Sequence, residues 1–175
     1  VVIDEVECLN GLADAINVTD GAGAKSHMSA LATAAILAQN GIEPILQFTT
    51  RDRNRIAIQG DLLGGWALDI PNILCLYGDE VKGGDQPDTK EVRDLDTIGI
   101  LRTAHEIKTK RMYPSGRKIN DAPEFFIGGA DTPFKINNDF DGSNLVNKIE
   151  AGVEFFQTQY VFEKDILKNY MLKLN

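Results

Sequence analysis

FTTRDRNRIAIQGDLLGGWALDIPNILCLYGDE, residues 48–80, begins and ends in an apolar, strand-like segment that stops abruptly in charge. Between the two lies a helix-like run from about Asn54 to Leu68, in which Gly60, Gly64 and Gly65 lower the helix propensity. Strand, helix and strand in succession are the repeating unit of a parallel sheet. The stretch also raises a chemical question: what work needs carboxylates and arginines at the ends of two buried strands?

The alternation continues on both sides. Strand-like runs fall at ADAINVT (13–19), IEPILQFT (42–49), NILCLY (72–77), EFFIGG (124–129) and EFFQTQYVF (154–162). HMSALATAAILAQN, closed by Gly41 as a C-cap, reads as helix. So do VRDLDTIGILRTAHEIK, SNLVNKIEA with Asp141 or Ser143 as its N-cap, and the stretch from Glu163 to Leu172. VVIDEVECLNGL, with Val2, Val6 and Leu9 at helical spacing, reads as a helix already under way and lacks an initiator Met, so the sequence is expected to start inside a larger protein. Two stretches stand outside the alternation: EVKGGDQPDTKE (80–91), expected as a surface connection on the site side, and TKRMYPSGRKINDAP (109–123), a basic surface connection. The fold class is α/β with a parallel sheet and a site at its carboxyl edge, a rule that doubly wound sheets and TIM barrels both satisfy.

A chain of 175 residues, 43% hydrophobic and 25% charged, fits one soluble domain. The net charge of -8 argues against nucleic acid as a partner, because phosphate binding needs a clustered basic face. No apolar stretch approaches the roughly 20 residues of a membrane span. No signal peptide opens the chain, so a cytoplasmic location is expected. Cys8 and Cys75 form no CxxC and are expected to be buried, reduced thiols. His27 and His105 sit in helix-like stretches with no third ligand spaced to them, which leaves no expected metal site.

GAGAKS (21–26) invites a phosphate-loop reading and fails it, because Ala24 stands where GxxxxGK[ST] requires Gly before the Lys. RDRNR (51–55) favours the reading of a solvated helix start, with Asp52 complementing the helix dipole. ILCLYGDE differs: five apolar residues end at Gly78-Asp79, which fixes a carboxylate at the end of a central strand beside a Gly that lets a ligand approach. A loop-opening Asp is common by itself. Thr19-Asp20, Gln47 with Thr49, and Thr158-Gln159 end other strands, so hydrogen-bonding side chains converge on one rim suited to a polar heterocycle.

On these residues the chain resembles the methylenetetrahydrofolate reductase family, flavin-dependent TIM-barrel enzymes of one-carbon metabolism. The matching segments are DAINVTDGAGA, GIEPILQFTTRDRNRIAIQGDLLGGWAL, NILCLYGD, VRDLDTIGIL, FFIGGADTPF and KIEAGVEFFQTQYVF, with TTRDRNR and YGD the most diagnostic. The resemblance implies a (β/α)8 barrel that is partial here, about five βα units over residues 1–175, equivalent to strands two through six. The strand with the family's glutamate general acid is missing, so the chain is expected not to reduce folate alone.

The resemblance further implies FAD, with FMN as the alternative, reduced by NAD(P)H or another donor and passing hydride from N5 to the methylene carbon of the folate. Thr19 and Ala22 would border the flavin, Gln47 would take a position often held by His, and Tyr77, Gly78 and Asp79 would run along the isoalloxazine and ribityl chain. Asp141, Asn144 and Lys148 would hold the rest of the nucleotide, with Arg93 and Asp94 as further cofactor contacts. Thr19, Asp79 and Gln159 would meet the substrate, with Asp79 as the catalytic carboxylate and Gln159 gripping the pterin. Asp20, Tyr77 and Asn147 depart from a frequent aromatic residue, Arg and Arg respectively. The partners implied are the folate, a homo-oligomer or an electron-transfer subunit. A flavin-binding partner subunit and an inactive interaction module stand as the competing readings.

Overall fold

Pro44–Thr49 (β2) and Asn72–Leu76 (β3) pair in parallel, with Ile45 opposite Asn72 and Thr49 opposite Leu76. Arg55–Ala67 (α3) connects them, and Asn54 caps it by accepting the N–H groups of Ile56 and Ala57 at 3.1 and 3.0 Å. The glycines that weaken α3 as an isolated helix bring it close to the sheet: a Cβ at Gly65 would lie 3.3 Å from Leu46 Cδ2. Packing here overrides propensity.

The structure is a computed structural model that describes residues 2–9, 11–135 and 140–174. Ile16–Val18 (β1), Phe126–Asp131 (β4) and Phe155–Thr158 (β5) complete a sheet of five parallel strands in the order β1-β2-β3-β4-β5. A doubly wound sheet reverses its strand order at a switch point, and this sheet never reverses. With right-handed crossovers, that order keeps the connecting helices Ala30–Gln39 (α2), α3, Thr97–Lys110 (α4) and Ser143–Glu150 (α5) on one side. The five strands therefore curl into part of a (β/α)8 barrel.

Strand alternation sorts the side chains. Val18, Leu46, Phe48, Ile73, Cys75 and Ile127 meet Ala34, Leu37, Ile58, Leu62, Ile100, Leu101 and Ile107 in the layer between sheet and helices. Each large apolar side chain fully buried there contributes about 1.5–3 kcal/mol. The alternate positions, among them Gln47, Thr49, Leu74, Leu76 and Gly128, face the barrel interior. Phe126 and Phe155 stack on that face at 4.7 Å.

Several boundaries differ from the sequence reading. β5 ends at Thr158 rather than Phe162 because β4, its one partner among the described residues, ends opposite it at Asp131. α4 starts at Thr97, where Asp96 accepts the Gly99 N–H at 2.6 Å, instead of at Val92. Residues 92 and 93 return across the end of β2, donating their N–H groups to Arg51 O and Thr50 O. The N-cap of α5 is Gly142, and Asp141 accepts the Ser143 N–H at 2.9 Å.

Val2–Val6 (α1) continues as a 3-10 turn over Glu7–Leu9, and Lys164–Leu174 (α6) closes the described chain. His27 lies in an exposed loop, not a helix, and Cys8 is exposed. Cys75 is buried, which pushes its thiol up to about 12. Among the described residues no helix is long and apolar enough to cross a membrane.

Candidate functional site

The rim at the carboxyl ends of the strands is built around two buried charges. Asp20, just past β1, is 8% exposed and accepts both the backbone N–H and the hydroxyl of Thr49 at 2.9 Å. Arg53 grips the same carboxylate with Nη1 at 2.6 Å and Nη2 at 3.2 Å, and turns its Nε to Asp61 at 2.8 Å. Burying a carboxylate costs several kcal/mol unless it is paired and hydrogen-bonded, and this one is both. Asp20 also donates its N–H to Gln47 Oε1 at 3.3 Å, which fixes the amide orientation of a buried Gln.

Arg51 is the second buried charge, 4% exposed. Its Nε and Nη2 engage both oxygens of Asp52 at 2.8 and 2.7 Å, while Nη1 reaches Gly21 O at 3.1 Å and Asp79 O at 3.4 Å. The Asp52 carboxyl is held below its ordinary value by that Arg51 hydrogen bond. Arg55, more exposed, pairs with Asp94 through two bonds of 2.8 Å. The solvated-helix-start reading of RDRNR therefore holds for Arg55 and is corrected for Arg51 and Arg53. Arg51 pairs with its neighbour Asp52 and Arg53 partly with Asp61, but the carbonyls that Arg51 reaches and the Asp20 carboxylate that Arg53 grips come from the segments after β1 and β3, far away in sequence. Asp52 likewise lies ahead of α3 rather than in its first turn.

After β3 the chain turns at Gly78, whose φ of 87° is left-handed. A Cβ there would sit 3.0 Å from Thr49 Cβ and 3.1 Å from Arg51 Cβ, so the position is closed to larger residues on both counts. Asp79 then presents its carboxylate on the rim, with Oδ2 accepting the Gly23 N–H at 2.7 Å. Arg93 lies behind this turn. Its guanidinium stacks 3.8 Å from the Tyr77 ring centroid, donates to Tyr77 O at 2.9 Å, and pairs with Glu91. The Arg93 hydrogen bond, with help from the Val81 N–H, brings the Glu91 carboxyl down to about 2.

Thr19, Ala22, Gln47, Tyr77, Gly78, Asp79 and Gln159 line one cleft of about 330 Å³, together with Asp20 and Thr49. Asp141, Asn144 and Lys148 line a second cavity of about 670 Å³, which shares Leu76 and Tyr77 with the first. Phe134, Phe140 and Tyr170 form an aromatic cluster on its wall, with ring centroids 5.3–5.8 Å apart. Lys148 donates to Ala130 O at 2.6 Å, and burial lowers the pKa of its ammonium against the opposing pull of Asp131. Arg93 lines neither cavity and reaches the site through Tyr77. Asp94 also lines neither, its carboxylate being committed to Arg55 and held low by it.

Sequence reasoning did not single out the Arg51 clamp, the Arg53 grip on Asp20, or the aromatic wall. The visible signal for the first two was arginines and carboxylates alternating directly after a buried strand. Nothing local marked Tyr170, which enters from α6. Among the described residues no cluster of three or more His, Cys, Asp or Glu side chains is placed to hold a metal. No curated protein matches the chain. A family model described as methylenetetrahydrofolate reductase matches residues 2–175.

Proposed function

Since the chain belongs to the methylenetetrahydrofolate reductase family, we propose that it works as one flavin-binding barrel domain, residues 1–175, reducing 5,10-methylenetetrahydrofolate to 5-methyltetrahydrofolate. A bound flavin, FAD in this reading with FMN as the smaller alternative, supplies hydride acceptance and donation at N5, with NAD(P)H or another donor as the electron source. The residues present fit such a group. Two clefts sharing Leu76 and Tyr77 offer an elongated ligand a continuous wall. Gly78, whose missing side chain leaves room for Thr49 and Arg51, offers the smaller cleft a stretch of bare backbone. Lys148 and the N–H groups at the start of α5 give the larger cavity donors for phosphate, beside the carboxylates of Asp131 and Asp141.

Within that reading each side chain has a task. Thr19 and Ala22 border the ring, while Gln47 keeps its NH2 as a donor because its oxygen is taken by the Asp20 N–H. Asp141 and Asn144 hydrogen-bond the hydroxyl-bearing part of the nucleotide. Gln159 donates and accepts at once, matching the amide-like edge of a pterin. The folate carbon must become cationic before it takes hydride, and the Asp79 carboxylate stabilises that charge most strongly where the bound rings exclude water. Holding two planar partners in turn against one face is the protein's main contribution to rate. In this reading the enzyme works in the cytoplasm, in a homo-oligomer or beside a subunit that delivers electrons.

The observation that carries the proposal is Asp79, fixed by the Gly23 N–H at 2.7 Å in a cleft that also presents Gln47 and Gln159. The test is an absorbance spectrum after adding FAD, followed by anaerobic titration with methyltetrahydrofolate. A bound-flavin spectrum that bleaches would support the proposal and would correct the expectation that the chain does not reduce folate alone. Flavin retained without bleaching would favour an electron-transfer relative instead, and no bound flavin would overturn the reading for this chain. Asp79→Asn should slow the folate half-reaction by about tenfold or more while leaving flavin reduction within about twofold. Equal losses in both halves would remove Asp79 from the role given to it.

A further inference from the structure

We propose that Arg51 is a positioning residue that sets the Asp79 carboxylate in the cleft, an inference that rests on the role given to Asp79 above. Arg51 touches neither cleft. It acts by joining the two loops whose meeting point is Asp79.

Its planar fork is divided between two tasks. Nε and Nη2 are locked bidentately on Asp52, which fixes the plane of the guanidinium. Nη1 projects from the other edge to Gly21 O at 3.1 Å, in the loop after β1, and makes a longer contact of 3.4 Å with Asp79 O, in the loop after β3. The same two loops meet again where the Gly23 N–H is donated to Asp79 Oδ2 at 2.7 Å. Asp79 is thereby held at both ends. Arg51 contacts its main-chain carbonyl and anchors, two residues upstream, the turn whose amide orients its carboxylate.

The surrounding glycines make room for this clamp. A Cβ at Gly21 would fall 2.4 Å from Arg51 Nη2, and one at Gly78 would fall 3.1 Å from Arg51 Cβ. The backbone of Arg51 recruits a third segment, its carbonyl accepting the Val92 N–H at 2.7 Å. Lys supplies one mobile ammonium in place of a rigid fork, so it cannot hold Asp52, Gly21 and Asp79 together. With one oxygen of Asp79 oriented by a backbone amide, the other has a defined direction, and an ångström of misplacement is costly in rate.

The test uses the full chain with Arg51→Lys, Asp79→Asn and the double variant. Thermal midpoints identify any variant that fails to fold, and Arg51→Met serves if the Lys variant does. In flavin-free protein the NMR shift of the Gly23 amide proton, which reports the bond to Asp79, should move in Arg51→Lys most of the way to its position in Asp79→Asn. In flavin-loaded protein Arg51→Lys should slow the folate half-reaction about tenfold with flavin reduction within about twofold. The double variant should be no slower than Asp79→Asn alone. An unmoved Gly23 amide, or losses that multiply in the double variant, would overturn the positioning role. An Asp79→Asn variant with an intact folate half-reaction would instead overturn the role of Asp79, and is distinguishable because the Gly23 amide would still respond to Arg51→Lys.

Discussion

At Tyr170 a single phenol joins the last helix to the rim. The residue is 2% exposed, donates its hydroxyl to Asp131 Oδ1 at 3.0 Å, and packs against Phe134 and Phe140. Burial, reinforced by the hydrogen bond to Asp131, raises this phenol from 10.0 to about 12. A group whose folded pKa lies above its unfolded value stabilises the fold fully below the unfolded value and loses that contribution as pH rises through the folded one. Stability should accordingly fall between pH 10.0 and about 12, and Tyr170→Phe should flatten that loss. Spectrophotometric titration of the four tyrosines should show one ionising near the upper limit. Four ordinary transitions would mean that Tyr170 is neither buried nor bonded to Asp131 in solution.

At the scale of elements, α3 shows how a local signal and a distant one share a boundary. Asn54 begins the helix by a purely local device, accepting two orphan N–H groups, and the sequence reading set the helix start there. Asn54→Ala should cost about 1 kcal/mol, read from the urea midpoint at unchanged slope. A change of only a few tenths would mean that the Arg55 N–H bond to Asp94 suffices to hold the first turn. The two arginines before Asn54 were less legible because the partners that bury them lie far outside the element. Arg51 reaches back 30 residues to Gly21 and forward 28 to Asp79, and Arg53 reaches back 33 to Asp20. Alternating charges read as a solvated run that pairs with itself, as Arg51 does with Asp52, whereas the Gly21 and Asp79 carbonyls and the Asp20 carboxylate that bury the two arginines arrive only with the fold. Gly78-Asp79 was legible for the converse reason: an apolar run that ends in Gly and Asp carries its whole signal within itself.

Over the whole molecule, the succession of strands and helices was legible because each unit announces its own period, whereas the choice of barrel over doubly wound sheet came from the family resemblance and not from the pattern of elements. Strand order is decided by which side each crossover takes, and it becomes visible only in the register that runs from Ile16 opposite Pro44 to Asp131 opposite Thr158. The same order predicts a gradient of local stability. β2 and β3 are paired on both sides, and Leu46, Phe48, Ile73, Leu74 and Cys75 are each at most 1% exposed. β1 and β5 are three and four residues long, each has one partner among the described residues, and β5 contains no buried residue. Amides with few buried contacts and one-sided pairing open at lower free energy than the global transition. Native-state hydrogen exchange of the 175-residue chain should therefore be slowest in β2 and β3, and faster in β1 and β5 by about tenfold or more, since about 1.4 kcal/mol of extra opening suffices for that factor. Repeating the measurement at several protein concentrations separates the two causes of any deviation. Edge protection that rises with concentration would mean that strands from a second chain complete the wall, and equal, concentration-independent protection throughout would contradict the open five-stranded sheet.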